Sequence, residues 1–347
     1  MMIFTLITLY HAFTNDFFDG FTKRFSSIMG LFILFFFIFY MGMRPISIFF
    51  QDMAAYAEIY NLIQNGREMT VNSDYLFHYF MVYSTKIMSD KLFFFICSLF
   101  YILPCYLFSK KYAGTYWYFV FLIFVGSFQF WPYGTNGIRN GMATSMFILA
   151  LYFYDRKILS YLIMAISLGI HSSLVIPIIA FAVSGIYKSP KAYLYIWLAS
   201  IPLSLAGGSV WENLFGGLGF GNDTRSQSYL LKDNINKEIF AYTGFRWDFV
   251  FYSSFAVFAG YYYILKKKVK DKFYIHLWGT YMIANAFWIL VIRANFSNRF
   301  AYLSWFLMAP VIAYPLLRYK LFPNQYRVVG GVIAVYYLFT YLMFLRG

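Results

Sequence analysis

The chain has 347 residues, of which 61% are hydrophobic, 25% aromatic and only 12% charged. A soluble domain carries about 25% charged residues, so this composition excludes a solvated globule of that length. The net charge of +14 would suggest nucleic acid in a soluble protein, but here membrane topology accounts for it, and no nucleic-acid partner is expected.

Residues 1–14 are largely apolar but run into Asn15, Asp16 and Asp19, with no basic segment before them. They read as a short first crossing or an interfacial helix rather than a signal peptide. Apolar runs then recur at 26–43, 92–109, 115–131, 138–154, 158–169, 172–187, 190–207, 247–265, 273–292, 299–317 and 326–345. A run of about 20 residues spans a hydrocarbon core as a helix. Stretches such as LFILFFFIFYMG lack the alternation of barrel strands. The expected fold is all-α: a polytopic transmembrane helical bundle of about 11–12 crossings, forming a single integral membrane domain over 1–347. Cys97 and Cys105 share one apolar run and cannot bridge each other there.

Two segments are longer than turns. The first, 44–91, contains an amphipathic stretch from Asp74 to Ser89. The second, 208–246, is glycine-rich at its start, opening with Gly207, Gly208, Gly216, Gly217, Gly219 and Gly221. No strand precedes these glycines and no Lys-Ser/Thr follows, so a phosphate-cradling loop is not expected. A lid over a membrane cavity and a plain flexible loop both fit. The two matched halves of many transporters are absent.

Placing Lys23 and Arg24 in the cytoplasm and alternating sides puts the loops at 110–114, 155–157, 188–191, 266–272 and 318–325 inside. The segments 44–91 and 208–246 then become outer-face loops, in keeping with the positive-inside rule. On this scheme the inner basic residues are mostly Lys and the outer ones mostly Arg. Orientation needs only charge, whereas guanidinium adds a planar fork for phosphate or carboxylate. An anionic ligand at the outer face is one reading; ion pairing with the acids there is the other.

The chemistry-bearing residues are sparse. There is no Asp-x-Asp, no His-x-x-x-His and no Cys/His cluster, so no protein-bound metal and no other cofactor is expected. Ionisable residues near the membrane are costly and suggest function. Four clusters fall at predicted outer ends. Arg44 stands with Asp52 and Tyr56; Arg139 starts a helix after the turn Thr135-Asn136-Gly137; His171 sits at a break between two short crossings; and GFRWDF with NFSNRF supplies Arg246, Asp248, Arg293 and Arg299. Each has a plainer alternative. Arg44 and Asp52 can simply pair, Arg139 can snorkel, His171 can cap the break, and Arg293 and Arg299 can anchor at the interface.

Taken in order and spacing, these residues resemble the EpsG/Wzy-type bacterial polysaccharide polymerases. The carriers are Arg44 with Asp52-x-x-x-Tyr56, Ile138-Arg139 leading Ala143 into an apolar helix, Ile170-His171-Ser172-Ser173, Gly244-Phe245-Arg246 with Asp248, and Asn298-Arg299-Phe300. They span about Arg44 to Pro315. The family commonly has Arg-Gln where this chain has Arg139-Asn140, and its first crossing is usually cleaner than residues 1–14. The resemblance implies a GT-C-like, multi-pass glycosyltransferase of the bacterial cytoplasmic (inner) membrane. It would polymerise undecaprenyl-diphosphate-linked oligosaccharide repeat units on the periplasmic or exterior side, for O-antigen and lipopolysaccharide, capsule or exopolysaccharide. The lipid bilayer and a chain-length regulator protein are the other expected partners. On this reading Arg139, Arg293, Arg299, Arg44 and Arg246 bind diphosphate, Tyr56 and Asp248 bind substrate, and His171 takes the acceptor proton with Asp52 as its rival. A membrane O-acyltransferase acting on surface glycans and a non-enzymatic flippase of lipid-linked sugars are the alternatives.

Overall fold

The computed structural model describes residues 20–68, 73–217, 244–294 and 297–346, together with Leu6 and Tyr10. The expectations for residues 1–18, for most of the 208–246 loop, and for Asn295 and Phe296 lie outside them. Every regular element among the described residues is helical.

In chain order the elements are α1 (Gly20–Gly42), α2 (Gln51–Gln64), α3 (Tyr75–Ser84), α4 (Asp90–Ala113), α5 (Trp117–Val125), α6 (Phe130–Thr135), α7 (Ile138–Tyr152) and α8 (Lys157–Ile170). There follow α9 (Val175–Ile186), α10 (Pro190–Gly207), α11 (Ser209–Gly217), α12 (Trp247–Gly260), α13 (Lys272–Leu290), α14 (Ser297–Trp305), α15 (Met308–Arg318) and α16 (Gln325–Arg346). The helix positions follow the predicted apolar runs closely. By length and composition alone, three described stretches suffice to cross a membrane: Asp90–Val125, Ser297–Arg318 and Gln325–Leu345. Shorter apolar helices lie at Ser27–Gly42, Lys157–Ile170 and Ser172–Ile186. One helix in 44–91 differs from expectation. The amphipathic stretch is α3, but α2 precedes it where only a loop was anticipated.

The chain divides into two compact units. The first comprises the described residues of Met1–Thr70, Leu76–Ile170 and Ala313–Gly347. Its centre is α4, against which α1, α5 and α7 pack. Local sequence explains why α4 starts and stops where it does. Ser89 caps it by accepting the Leu92 amide at 3.3 Å, Asp90 opens its first turn, and Lys110 and Lys111 close its last; these charges complement the helix dipole. Pro104 interrupts the interior of α4. A proline frees main-chain carbonyls in the preceding turn, which must find other donors within apolar surroundings. One turn away, the Tyr101 carbonyl accepts from Ser145 Oγ of α7 at 2.7 Å, which ties α7 to α4.

The second unit comprises the described residues of Val71–Tyr75 and His171–Ile312. Its centre is α13, capped by Asp271 through the Tyr274 amide at 2.9 Å. Helices α9, α10, α12 and α14 pack on it. Asn285 of α13 is fully buried and its amide is satisfied on three sides. Its Oδ1 accepts from Trp197 Nε1 at 2.7 Å, and its Nδ2 donates to Ser253 Oγ at 3.1 Å and Ser304 Oγ at 2.9 Å. One side chain thereby ties α10, α12 and α14 to α13. Among apolar surroundings, polar atoms left unmatched would be costly.

Candidate functional site

In the first unit the candidate residues gather around the turn between α6 and α7. Gly137 precedes α7, and Ile138 and Arg139 open it. Gly141 lets the turn close tightly: a methyl there would run into the Tyr133 carbonyl. Arg139 thus enters at a helix N-terminus, where main-chain N–H groups already favour an anion.

Arg44 reaches this turn from the end of α1. It is buried, and burial lowers its guanidinium pKa to about 10. Its Nη2 donates to the Thr135 carbonyl at 2.8 Å, and its Nη1 donates to the Met41 carbonyl. Both carbonyls belong to the last turns of helices, α6 and α1, where acceptors lack intrahelical partners and a cation is favoured. The Arg44 Nε is buried with no hydrogen-bond partner among the described residues. The guanidinium lies 5.5 Å from the centre of the Phe50 ring.

Asp52, in the first turn of α2, meets the same turn through its backbone: its N–H donates to Asn136 Oδ1 at 2.8 Å. The donors of Arg44 go to main-chain carbonyls, so Arg44 and Asp52 do not form the simple edge pair entertained from sequence. Tyr56 stands one helical turn beyond Asp52, buried with its ring 5.2 Å from Phe77. The structure therefore brings Arg44, Asp52, Tyr56 and Arg139 to one place. It adds Asn136 and Asn140, to which the sequence assigns no role. Asn140 is buried, and its Oδ1 has no hydrogen-bond partner among the described residues.

In the second unit two groups appear. Arg246 is the N-cap residue of α12 and grips Asp248 with a fork, Nε to Oδ1 at 3.0 Å and Nη2 to Oδ2 at 2.8 Å. The guanidinium also covers the Phe249 ring at 3.7 Å. Arg293 donates to the Ser204 carbonyl at 3.2 Å and lies 5.9 Å from the centre of the Phe245 ring, so it borders the start of the same segment. Arg299, on α14, is exposed.

The other group surrounds His171, the residue between α8 and a 3-10 turn at Ser172–Leu174. Its Nδ1 accepts from the Ser173 amide at 3.2 Å and lies 2.9 Å from Ser173 Oγ. The Ser172 amide donates to Asp74 Oδ1 at 2.7 Å. Asp74 is buried in left-handed backbone, φ 53°, and no sequence motif flagged it. A Ser-Asp pair just before a helix reads as an ordinary start signal. Among the described residues, no group of three or more His, Cys, Asp or Glu stands together that could hold a metal.

The sequence profile of the EpsG family matches residues 27–346, more of the chain than the motifs from Arg44 to Pro315 span. No curated protein and no solved structure matches the chain.

Proposed function

The chain belongs to the EpsG family, and from that premise we propose that this membrane protein is a polysaccharide polymerase working on lipid-linked repeat units. The family match over nearly the whole helical chain carries the reading. The chemistry would be GT-C-like. A sugar hydroxyl of the incoming unit attacks the anomeric carbon of the growing chain. The carbon–oxygen bond to the undecaprenyl diphosphate breaks, the electron pair leaves with the diphosphate, and the hydroxyl proton passes to a base.

Such a leaving group needs charge stabilisation, which fixed arginines supply without a bound metal. In the first unit we assign Arg139 the leading part in holding diphosphate and Asp52 to the reacting groups; in the second, Arg293 and Arg299 are assigned to diphosphate and His171 to the reacting groups. Tyr56 is assigned to the sugar. The fork between Arg246 and Asp248 supports a positioning role for that pair at the start of α12, one that leaves Arg246 less able to serve the diphosphate. Arg44, bonded to two helix ends, supports the α6–α7 turn that presents Arg139. The site is proposed to face the periplasm or exterior of the cytoplasmic membrane, with a chain-length regulator as partner.

The test is direct. Purified protein is incubated with lipid-diphosphate-linked repeat units and the products are separated by length. A ladder supports the polymerase; a single unextended band sinks it. In cells, a null strain that leaves single repeat units attached agrees with polymerisation. Full-length chains lacking acetyl groups would favour the acyltransferase, and no surface glycan at all would favour the flippase.

A further inference from the structure

The turn at His171 decides where that ring carries its proton. His171 lies in extended backbone, φ −148° and ψ 119°, and caps the 3-10 turn with its own side chain. The Ser173 N–H donates to Nδ1 at 3.2 Å. A main-chain N–H can only donate, so this contact calls for a lone pair on Nδ1, toward which the rotatable Ser173 hydroxyl at 2.9 Å can also donate, and the proton of the neutral ring then resides on Nε2.

The turn is held from its other amide by Asp74, whose Oδ1 takes the Ser172 N–H at 2.7 Å. Asp74 is 4% exposed, in the left-handed backbone region at φ 53°. Non-glycine residues seldom stay there unless their surroundings demand it, though Asp is among the more tolerant. The two consecutive amides of the turn are therefore both occupied, one by Asp74 and one by the imidazole. Swinging Nδ1 toward a substrate would leave the Ser173 amide without its acceptor.

A general base must offer a lone pair to the proton it removes. The distal nitrogen of this ring offers a proton instead. Resting on the polymerase reading, we propose that His171 is a hydrogen-bond donor, through Nε2–H, to the departing diphosphate, and that Asp74 is the positioning residue that fixes its tautomer by fixing the turn. This reassigns the role expected of His171 from the sequence. In the transfer, the acceptor oxygen bonds to the anomeric carbon as the bond to diphosphate breaks. The leaving electron pair settles on the diphosphate, where Nε2–H meets the growing charge. The hydroxyl proton goes to a carboxylate, and His171 ends with the proton it began with. A donor aimed at charge that grows in the transition state lowers the barrier more than it tightens binding.

Amide substitutions separate the two roles. His171→Gln keeps an N–H at about the reach of Nε2 but cannot act as a base. His171→Asn keeps an acceptor for the Ser173 amide, with no donor at that reach. With lipid-diphosphate-linked repeat units, His171→Gln should extend chains within about 10-fold of wild type, while His171→Asn and His171→Ala fall about 10²–10³-fold. Selective ¹⁵N-histidine labelling of the wild-type protein, with the His171→Gln spectrum to identify the signal, should show a proton on Nε2. Asp74→Asn, which keeps the acceptor, should preserve that tautomer; Asp74→Ala should not. A His171→Gln protein as inactive as His171→Ala but melting like His171→Asn overturns the donor role, as does a wild-type ring protonated on Nδ1. A wild-type protein that makes no ladder sinks the polymerase reading and the diphosphate donor role with it, while the spectrum still decides the tautomer.

Discussion

Arg44 Nη2 donates to the main-chain oxygen of Thr135 at 2.8 Å, tying the end of α1 to the turn from which α7 and Arg139 begin. The same guanidinium serves the Met41 carbonyl. Lysine lacks the planar fork whose two separate nitrogens meet these acceptors. Arg44→Lys should therefore lower stability by about 1–3 kcal/mol, the cost of an unsatisfied buried acceptor. Chain extension should fall with it as the turn loosens. Thermal unfolding in detergent, read beside the product ladder, checks this. If extension is lost while the melting temperature stays at the wild-type value, Arg44 contacts substrate instead.

The fork between Arg246 and Asp248 gives a second prediction. The two side chains are 25% and 20% exposed, so the pair is only partly screened by solvent. Arg246→Ala and Asp248→Ala should each destabilise by about 1.5–3 kcal/mol, and the double variant should lose little more than either alone. If Arg246 instead holds diphosphate, Asp248→Asn would release it and tighten binding of the lipid-linked substrate. Stability and binding measured on the same four proteins distinguish these cases.

Much of the helix map was legible before the structure. The run at 190–207 became α10, Pro190–Gly207, because Pro at the first helical position and Gly at the end punctuate it. The runs at 158–169 and 273–292 were found almost as read, the latter started by Asp271. Helix α2 was missed because its composition is mixed and its neighbours read as loop. The site was legible only in part. Arg44, Asp52, Tyr56 and Arg139 were named, but the acceptors of Arg44 were not, since Thr135 lies far along the chain and a carbonyl carries no sequence signal. Arg246 and Asp248, two residues apart at a helix start, were nameable as a group for the opposite reason. Asp74 could not be singled out, because its significance lies in the Ser172 amide brought to it by folding.

Topology supplies a third prediction. Asn65 and Lys270 are both exposed, and the native Cys97 and Cys105 are 2% and 4% exposed, so background labelling should be low. If 44–91 is outside and 266–272 inside, as the lysine and arginine distribution predicts, Asn65→Cys should react with an impermeant maleimide in cells exposing the outer face. Lys270→Cys should react only after lysis. The reverse pattern would invert the orientation.

Gln325 gives a fourth. It begins α16 and satisfies four main-chain groups with one amide. Oε1 accepts from the Leu321 and Phe322 amides, each at 3.0 Å, and Nε2 donates to the Tyr319 carbonyl at 2.9 Å and to the Leu316 carbonyl. Gln325→Glu keeps the shape but sets a carboxylate against two carbonyl oxygens. Gln325→Glu should therefore lower the melting temperature in detergent, because two donated bonds give way to oxygen–oxygen repulsion. An unchanged melting temperature would mean that the donated bonds contribute little.

Asn140 joins stability and function in one experiment. It is 9% exposed, and its Oδ1 has no hydrogen-bond partner among the described residues, beside Arg139 at the start of α7. A buried acceptor left unmatched is a cost to the fold. If nothing occupies it during function, replacing the amide with an apolar side chain of similar size should be neutral or stabilising, and harmless to activity. If a sugar hydroxyl or another substrate donor reaches it, the same change should leave stability unchanged or improved yet slow chain extension by about 10-fold, the worth of roughly one hydrogen bond. We expect the second outcome for Asn140→Leu. Asn140→Gln should restore extension, because it returns an amide oxygen to the same turn. Stability lost together with activity in Asn140→Leu would assign the residue to packing. Activity unchanged at full stability would remove it from the site and leave Arg139 as the polar contribution of that turn.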